Sequence, residues 1–251
     1  MARVRGIFFD QDGVIVDTER DGHRVAFNRA FQELGCDFQW DPGLYHQLLQ
    51  ISGGKERIRH YLRTTGSRAS PAEDALVEKL HRRKTDFFLE LVEAGALPLR
   101  AGVKRLMREV NRAGVILGIC TTSNERAARS IIATLLRDIR VDLVLAGDVV
   151  ARKKPDPEIY LRALRETGLA ARECAVIEDS RNGVEAAKAA GLFVVATTNP
   201  YTENEDLSRA DLVVSCLGDP DGERGNLRQG AGLPGFDGVL TLTQLQACFD
   251  P

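Results

Sequence analysis

The feature that most constrains this chain is an apolar run close to its start that ends in two carboxylates. Residues 7–18 read Ile-Phe-Phe-Asp-Gln-Asp-Gly-Val-Ile-Val-Asp-Thr, so Asp10 and Asp12 come where a buried strand would stop. Gly13 follows directly and permits the chain to turn sharply there. The pattern predicts a reactive pair with divided roles, in which one carboxylate is a nucleophile or metal ligand and the other is a proton donor.

The composition is that of an ordinary globular chain. Its 251 residues are 43% apolar and 28% charged, which suits one or two domains. A net charge of -2 gives no reason to expect nucleic acid or an anionic membrane as a partner. No apolar stretch approaches the roughly 18 to 20 residues that span a bilayer. We expect a monomer in the cytoplasm, or in the chloroplast stroma if a transit peptide has been removed.

Helical and strand-like patterns alternate along most of the chain. Residues 19–92 lack β-branched runs and show apolar residues at helical spacing. Further along, helical patterns separate short apolar runs near 115–120, 143–146, 174–177 and 193–196. Such alternation predicts a parallel sheet covered on both faces, a Rossmann-like, doubly wound α/β fold.

These patterns divide the chain into two units. We assign residues 1–18 and 95–251 to the α/β unit and residues 19–94 to an inserted helical unit. Residues 218–235 are rich in Gly, Asp and Arg and have no periodicity, so we expect a flexible loop there. The five cysteines form no C-x-x-C pair and indicate neither a disulfide framework nor a zinc site.

Polar clusters follow four of the predicted strands, at the edge where a parallel sheet presents its reactive groups. They are Asp10 with Asp12, then Thr121, Thr122, Ser123 and Asn124, then Lys154, and finally Glu178 with Asp179. Each cluster alone is more often structural, since such residues form turns, cap helices or lie in solvent. Together they predict one crevice that holds a nucleophile, hydroxyl groups, a cation and a pair of acids.

This set of groups suits phosphoryl transfer. A phosphomonoester dianion repels an attacking carboxylate, so the reaction needs positive charge around both. Mg²⁺ prefers oxygen ligands, which Asp10 and the acids at 178–179 would supply. Lys154 would add a further cation, and Thr121 a hydroxyl for a phosphate oxygen. Asp12 would protonate the leaving oxygen and then deprotonate the attacking water, with an aspartyl phosphate between the two steps.

The same motifs resemble those of the haloacid dehalogenase superfamily. Asp10-Gln11-Asp12-Gly13-Val14 is similar to its first motif, Thr121 to its second, Lys154 to its third and Glu178-Asp179 to its fourth. The resemblance covers nearly the whole chain and implies a Mg²⁺-dependent enzyme in which Asp12 reaches the metal through its backbone carbonyl. It also implies that the helical unit is a cap that closes over the α/β unit and selects the substrate.

Within the superfamily the chain is similar to the β-phosphoglucomutase subgroup and, more closely, to CbbY-type sugar phosphatases. Residues 17–28 and 51–58 carry this likeness. The resemblance implies hydrolysis of xylulose 1,5-bisphosphate, an inhibitor of Rubisco, to xylulose 5-phosphate. That would be a metabolite-repair role beside the Calvin cycle.

A bisphosphate needs a second anion site, and the helical unit offers candidates for it. Gly54 would let the backbone approach a ligand, and Lys55 and Arg57 would place cations beside it. The same residues also fit a plain helix start with solvated charges. Glu19 and His23 follow the junction with the α/β unit and would face the crevice, although a lone histidine is as often packed or solvated.

Three other functions stay open on this evidence. A sugar phosphate mutase would need the same core residues and would differ only in how well the cap excludes water. A dehalogenase would leave Asp12 and Asp179 without a role, because displacement of a halide needs only the first carboxylate. A non-catalytic sensor of sugar phosphates would leave the complete set of reactive groups unexplained. We therefore expect a sugar bisphosphate phosphatase.

Overall fold

The α/β unit is built around one sheet. The computed structural model describes residues 4–66, 70–230, 233 and 235–249. Within these residues seven strands pair in the order β3-β2-β1-β4-β5-β6-β7, and only the β6–β7 pair is antiparallel. The strands are β1 (Gly6–Phe9), β2 (Ile116–Thr121), β3 (Leu143–Ala146), β4 (Cys174–Glu178), β5 (Phe193–Thr197), β6 (Leu212–Val214) and β7 (Leu227–Gln229). The Rossmann-like α/β fold is confirmed.

The central position of β1 brings the predicted motifs together. It pairs in parallel with β2 on one side and with β4 on the other, so Phe9 lies opposite both Ile119 and Ile177. Asp10 therefore leaves the sheet at the same edge as the ends of β2 and β4. The strand order reverses between β1 and β4, and α/β sheets bind ligands at such a switch point.

Helices cover both faces of the sheet. One face carries α5 (Val103–Arg112), α6 (Glu125–Leu135) and α9 (Leu242–Ala247), and the other carries α7 (Glu158–Thr167) and α8 (Arg181–Ala189). Side chains alternate between the faces along each strand, so Ile7 and Phe9 join one apolar cluster and Phe8 the other. All four residues of β1 are buried, which explains its unbroken apolar sequence.

Residues 19–94, which we call the helical segment, follow the first motif. They contain a π-helical turn, Glu19–His23, and then α1 (Arg24–Glu33), α2 (Pro42–Leu48), α3 (Gly54–Thr64) and α4 (Pro71–Glu93). Side-chain oxygens cap two of these helices: Asp41 accepts from the N–H of Leu44, and Ser70 from the N–H of Glu73. No helix in the described part of the chain is long and apolar enough to cross a membrane.

The helical segment has an apolar cluster of its own. Its buried members are Phe27, Phe31, Trp40, Tyr45, Leu48, Ile58, Leu62, Val77 and Leu80. The ring of Trp40, the single tryptophan of the chain, lies 4.7 Å from that of Phe27 and 4.8 Å from that of Phe31. Other residues of α1 and α4, such as Ala26 and Phe88, join the cluster on one face of the sheet instead. The segment is therefore packed both on itself and on the α/β unit.

The tail differs from the sequence prediction. β6 was not predicted, and β7 falls inside residues 218–235, where we expected a flexible loop. The N–H of Ser215 donates to the carbonyl of Asn226, and the N–H of Gly225 to that of Gly238, so backbone pairing orders this part of the tail. Strands of three residues are too short to show a period, which is why the pattern missed them. Residues 231, 232 and 234 lie outside the described residues.

Candidate active site

A crevice lies between the carboxyl edge of the sheet and the helical segment, and it collects most of the residues predicted for the site. From the α/β unit it is lined by Asp10, Asp12, Thr121, Thr122, Ser123, Asn124, Lys154 and Asp179. From the helical segment it is lined by Glu19, His23, Gly54 and Arg57. Two predicted residues do not line it, because Glu178 is fully buried and Lys55 lies in a neighbouring depression.

Lys154 lies between two carboxylates. Its Nζ donates to Asp10 at 2.7 Å, to Glu178 at 2.6 Å and to the backbone carbonyl of Cys120 at 3.0 Å. Glu178 also accepts a hydrogen bond from the hydroxyl of Tyr160. Burial alone would lower the pKa of Lys154, but the two carboxylates outweigh this effect and raise the pKa. Lys154 is therefore a buried cation beside Asp10.

Asp10, Glu178 and Asp179 form an acid cluster. One carboxylate oxygen from each lies within 4.8 Å of the others, and all three side chains are buried. Burial raises the pKa of Asp10 to about 7, with Lys154 opposing the rise and Glu178 adding to it. Burial also raises the pKa of Asp179 well above its usual value, and the two neighbouring acids add to the rise. Lys154 alone does not balance three buried carboxylates, so the cluster suits a further cation.

The free oxygens of the acid cluster show which acids fit a metal ion. Oε1 of Glu178 accepts from Lys154, and Oε2 accepts from the backbone N–H of Asp179 at 3.2 Å. Among the described residues, nothing donates to Oδ2 of Asp10 or to Oδ1 of Asp179. Carboxylate oxygens are the ligands that Mg²⁺ prefers. Asp10 and Asp179 therefore offer free oxygens to the predicted Mg²⁺ site, whereas both oxygens of Glu178, the third predicted acid, already accept hydrogen bonds.

Asp12 belongs to a second network. Its carboxylate accepts from the Thr18 hydroxyl at 2.6 Å, lies 2.9 Å from Nε2 of His23 and accepts from the Ser123 hydroxyl. Burial alone would raise the pKa of Asp12, but the hydrogen bonds from His23 and from the two hydroxyls hold it below its usual range. Asp10 and Asp12 are close in sequence but have opposite electrostatic environments.

Lys84 of α4 extends this second network. Its Nζ lies 3.0 Å from Nδ1 of His23, and the centre of the His23 ring is 4.1 Å from that of the Phe88 ring. Burial lowers the pKa of Lys84 to about 8, although Asp12 and Glu19 oppose the shift. The sequence analysis missed Lys84, because a lysine on an amphipathic helix is usually solvated. Only the packing of α4 on α1 brings it to the crevice.

The loop after β2 serves the crevice and also starts α6. The Thr121 side chain, 1% exposed, accepts a hydrogen bond from the backbone N–H of Ser123 at 3.1 Å. The side-chain oxygen of Asn124 accepts from the N–H of Arg126 at 3.0 Å and so caps the helix. Thr122 lines the crevice between them. The loop therefore both lines the crevice and caps α6, and its predicted role in binding substrate stays a prediction.

The start of α3 forms the opposite wall of the crevice. Gly53 has a φ of 94°, a backbone conformation that favours glycine. A Cβ atom on Gly54 would lie 2.7 Å from the ring of His81, so this glycine lets the ring approach the helix N-terminus. Burial, together with the charge of Lys84, lowers the pKa of His81 to about 3 and keeps the imidazole neutral.

Glu19 and Arg57 line the crevice but are linked through Tyr45. The Tyr45 hydroxyl donates to Glu19 at 2.5 Å and accepts from Arg57 at 3.2 Å. Arg57 also donates to the backbone carbonyls of Leu48 and Ile51. Three hydrogen bonds hold the guanidinium, which has five N–H donors, so it can still donate into the crevice.

Lys55 does not lie where the sequence analysis expected it. Its Nζ is 3.0 Å from Glu78 on α4 and 3.0 Å from Asp148, outside the crevice. The two acids neutralise its charge, so a substrate-binding role for Lys55 does not fit this placement. The reason is helical geometry, because Lys55 and Arg57 are two positions apart on α3 and cannot face the same way.

The loop after β5 adds residues that were not predicted. Asn199, Tyr201, Thr202 and Glu205 line the crevice, and Nδ2 of Asn199 donates to Asp179 at 2.7 Å. The signal for them was present in the sequence. Polar residues follow the apolar run at 193–196 directly, as they follow the other strands that end at this edge.

This combination of fold and site defines a class of hydrolase. Residues 4–191 match the model of the haloacid dehalogenase-like hydrolase family. The match covers more than half of the chain, and the chain belongs to this family. The predicted enzyme class and the resemblance to the superfamily are confirmed.

Within the family the chain is similar to proteins named CbbY. It is 44% identical to the CBBY-like protein of Arabidopsis thaliana over 228 residues, 88% of this chain and 72% of that protein. It is 38% identical to protein CbbY of Cereibacter sphaeroides over 226 residues, 88% of this chain and 96% of that protein. A crystal structure of a CbbY variant from Rhodobacter sphaeroides, in complex with xylulose-(1,5)bisphosphate, matches with a TM-score of 0.79 and 38% identity, covering 85% of this chain and 94% of that chain.

Proposed function

We propose that this enzyme is a Mg²⁺-dependent sugar bisphosphate phosphatase that acts through a phosphorylated Asp10. The observation that carries the proposal is the separation of Asp10 and Asp12 into two networks. Asp10 lies with Lys154 in the acid cluster, where a phosphoryl group can be attacked and its charge balanced. Asp12 lies among hydroxyl groups and His23, where a proton can be moved.

In the first step an oxygen of Asp10 attacks phosphorus, and the bond from phosphorus to the sugar oxygen breaks. Protonated Asp12 gives its proton to that oxygen, which leaves as an alcohol. The low pKa of Asp12 in the free site keeps it ionised, but a phosphate dianion beside it adds negative charge and raises the pKa. Substrate binding therefore favours the proton-donating form of Asp12.

In the second step water attacks phosphorus, and the bond between phosphorus and Asp10 breaks. The Asp12 carboxylate takes the proton from that water, so inorganic phosphate leaves and both carboxyl groups return to their starting states. After phosphate has left, the low pKa of Asp12 returns it to the carboxylate form, and its proton passes to water. Lys154 stays charged through both steps and balances the phosphoryl oxygens beside Asp10.

Asp10 and Asp179 would hold Mg²⁺, with the backbone carbonyl of Asp12 as the further ligand that the family resemblance implies. Glu178 would orient Lys154, with which it shares a 2.6 Å hydrogen bond, instead of binding the metal. When bound, Mg²⁺ supplies positive charge that lets the Asp10 carboxylate and the phosphate approach each other.

The helical segment would act as a cap, with residues 1–18 and 95–251 as the catalytic domain. Its wall supplies a second anion site from the backbone at Gly53 and Gly54, Arg57 and Lys84. The backbone N–H groups at the start of α3 and the two cations suit a phosphate. A substrate with a phosphate at each end would span the crevice from this wall to Lys154.

The relative that holds xylulose-(1,5)bisphosphate favours that compound as the substrate, with xylulose 5-phosphate as the product. Such a reaction would remove an inhibitor of Rubisco and belongs to metabolite repair in carbon fixation. The predicted location stays the cytoplasm or the chloroplast stroma. The similar protein from the plant Arabidopsis thaliana is compatible with the stroma.

The test is phosphate release with Mg²⁺ and with EDTA across xylulose 1,5-bisphosphate, ribulose 1,5-bisphosphate, fructose 1,6-bisphosphate and hexose monophosphates. We expect Mg²⁺-dependent release with a clear preference for the xylulose ester. Asp10→Asn should bind this ester and release no phosphate, because an amide is a poor nucleophile. Equal rates on both pentulose bisphosphates would contradict the substrate, and full turnover by Asp10→Asn would contradict the nucleophile.

The mutase alternative is decided by the product formed from β-glucose 1-phosphate. Free glucose and phosphate support the phosphatase, whereas glucose 6-phosphate supports a mutase. The core residues are common to both reactions, so only the fate of the phosphorylated Asp10 separates them.

A further inference from the structure

One loop of the α/β unit, residues 199–205, contacts the acid cluster with its first residue. Nδ2 of Asn199 donates to Oδ2 of Asp179 at 2.7 Å, and the Asn199 side chain is 6% exposed. A Cβ atom on Gly13 would lie 2.7 Å from the same Nδ2 and 2.0 Å from Oδ2 of Asp179. Asn199, Asp179 and Gly13 are therefore in tight contact, and a shift of Asn199 would move the Asp179 carboxylate.

The same loop contacts the helical segment with its middle residue. Tyr201 packs against the apolar cluster of that segment. Its backbone carbonyl lies 2.7 Å from Nε2 of His46 on α2, and the two rings are 5.7 Å apart in an edge-on arrangement. A residue of the α/β unit thus packs with the core of the helical segment.

The last residue of the loop makes a further link to the helical segment. Oε1 of Glu205 accepts from the side chain of Gln50 at 3.0 Å, and Oε2 accepts from the backbone N–H of Arg181 at 2.6 Å. The side chain of Asn182 donates to the carbonyl of Gln50 at 3.0 Å. The turn after α2 is therefore held from two sides by the α/β unit.

Hydrogen bonds within the loop join its two contacts. Oδ1 of Asn199 accepts from the N–H of Tyr201 at 2.9 Å and from that of Thr202 at 3.2 Å. The Thr202 hydroxyl accepts from the N–H of Asn199 at 3.2 Å. The N–H of Glu203 donates to the backbone carbonyl of Asn199 at 2.9 Å. One amide side chain thus binds Asp179 with its nitrogen and the backbone at Tyr201 with its oxygen. These hydrogen bonds connect the contact with Asp179 to the contact at Tyr201.

We propose that the 199–205 loop couples the position of the helical segment to the position of Asp179, with Asn199 as a positioning residue. The proposal rests on the proposed function, in which Asp179 holds Mg²⁺. When the helical segment is docked, His46 and the apolar cluster hold Tyr201, and Asn199 holds Asp179 toward Asp10. Coupling between two sites is reciprocal, so docking of the segment raises the affinity for Mg²⁺ and Mg²⁺ favours docking.

The test is calorimetric titration of the substrate-free enzyme with MgCl₂. Asn199→Ala removes the contact with Asp179 and should raise the Kd for Mg²⁺ about tenfold. His46 and Tyr201 do not contact the acid cluster, so they can affect Mg²⁺ only through the loop. His46→Ala and Tyr201→Ala should each raise the Kd for Mg²⁺ about fivefold. Adding His46→Ala to Asn199→Ala should weaken binding no further, because the path is already broken.

Two controls separate this coupling from a general loosening of the helical segment. Arg126→Ala breaks the 2.6 Å ion pair with Asp86, another contact between the two units, and should leave the Kd unchanged. His46→Gln keeps an N–H donor and should bind Mg²⁺ nearly as the unaltered enzyme does. His46→Ala carries the test if Tyr201→Ala does not fold, since it removes one hydrogen bond and little packing.

Three results would overturn the coupling: an unchanged Kd in His46→Ala, an equal rise in Arg126→Ala, or additive effects in the double variant. Absence of Mg²⁺ binding to the unaltered enzyme would overturn the proposed function and the coupling with it. If the unaltered enzyme binds Mg²⁺ and the variants at Asn199, His46 and Tyr201 bind it with the same Kd, the coupling is wrong and the proposed function stands.

Discussion

The Nε2 atom of His23 lies 2.9 Å from a carboxylate oxygen of Asp12. Nδ1 of the same ring lies 3.0 Å from Nζ of Lys84, which as an ammonium group can only donate. Nδ1 therefore accepts, and Nε2 carries the proton that is donated to Asp12. A buried lysine of α4 is linked in this way to the carboxylate that we propose as the general acid and base.

Replacing His23 tests this link. His23→Ala removes the hydrogen bond to Asp12 but leaves Asp12 itself in place. We therefore expect kcat to fall about tenfold to a hundredfold, which is less than the loss expected when a proton-transfer group is removed. His23→Gln is the matched control, because its amide can donate to Asp12 and accept from Lys84. Steady-state kinetics with the xylulose ester would measure both variants. Equal kcat values for the alanine variant and the unaltered enzyme would show that the link has no role in turnover.

The pKa of Lys84 predicts a loss of activity at high pH. Burial lowers this pKa to about 8, so the charged form is present below that pH and is lost as the pH rises through it. The pH profile of kcat/KM reports groups of the free enzyme and should decline above about pH 8. In Lys84→Arg the side chain stays charged, because the pKa of arginine is above about 12, and the decline should move to higher pH.

A second substitution on the same helix makes this pH profile specific. Lys79 is an exposed residue of α4, and Lys79→Arg should leave the decline at its original pH. An unchanged profile in Lys84→Arg would assign the decline to another group. A profile that shifts in both variants would show a general effect of surface charge.

Gln11 is a buried polar residue whose replacement should stabilise the fold. Its side chain is 0% exposed, and neither its side-chain nitrogen nor its side-chain oxygen has a hydrogen-bond partner among the residues that the structure describes. An unpaired buried polar group costs about 1–3 kcal/mol, so the nearly isosteric Gln11→Met should raise the free energy of unfolding by about that amount. Urea unfolding would measure it, with exposed Gln47→Met as the control. A less stable Gln11→Met would mean that the amide is satisfied in solution.

The predicted division into two domains implies that each domain unfolds in its own transition. Phe31 is buried beside Trp40 in the helical segment, and Phe31→Ala should cost the segment about 3–5 kcal/mol. The emission of Trp40, the single tryptophan, should then change at a lower urea concentration than the far-ultraviolet circular dichroism does. Phe8→Ala, in a cluster under the sheet, should move the dichroism transition instead. Coincident transitions in Phe31→Ala would show that the chain unfolds as one domain.

The sequence predicted the fold well because its signals are local. Fully apolar runs of four to six residues mark the buried parallel strands, and the polar clusters that follow them mark the carboxyl edge of the sheet. The short strands β6 and β7 were missed, because three residues carry no period and their pairing depends on residues distant in sequence.

The sequence by itself determined which reactive groups this protein has and that they meet at one edge of the sheet, because parallel strands place their carboxyl ends together. Only the tertiary structure decided which of these groups are in contact and how buried each one is. It placed Asp10 and Asp12 in different networks and Glu178 in a hydrogen bond with Lys154. It also placed Lys55 outside the crevice, and Lys84 and Asn199 beside the predicted site residues. The physical reason is that pKa values and hydrogen bonds depend on burial and on contacts across the fold, which spacing along the chain does not reveal.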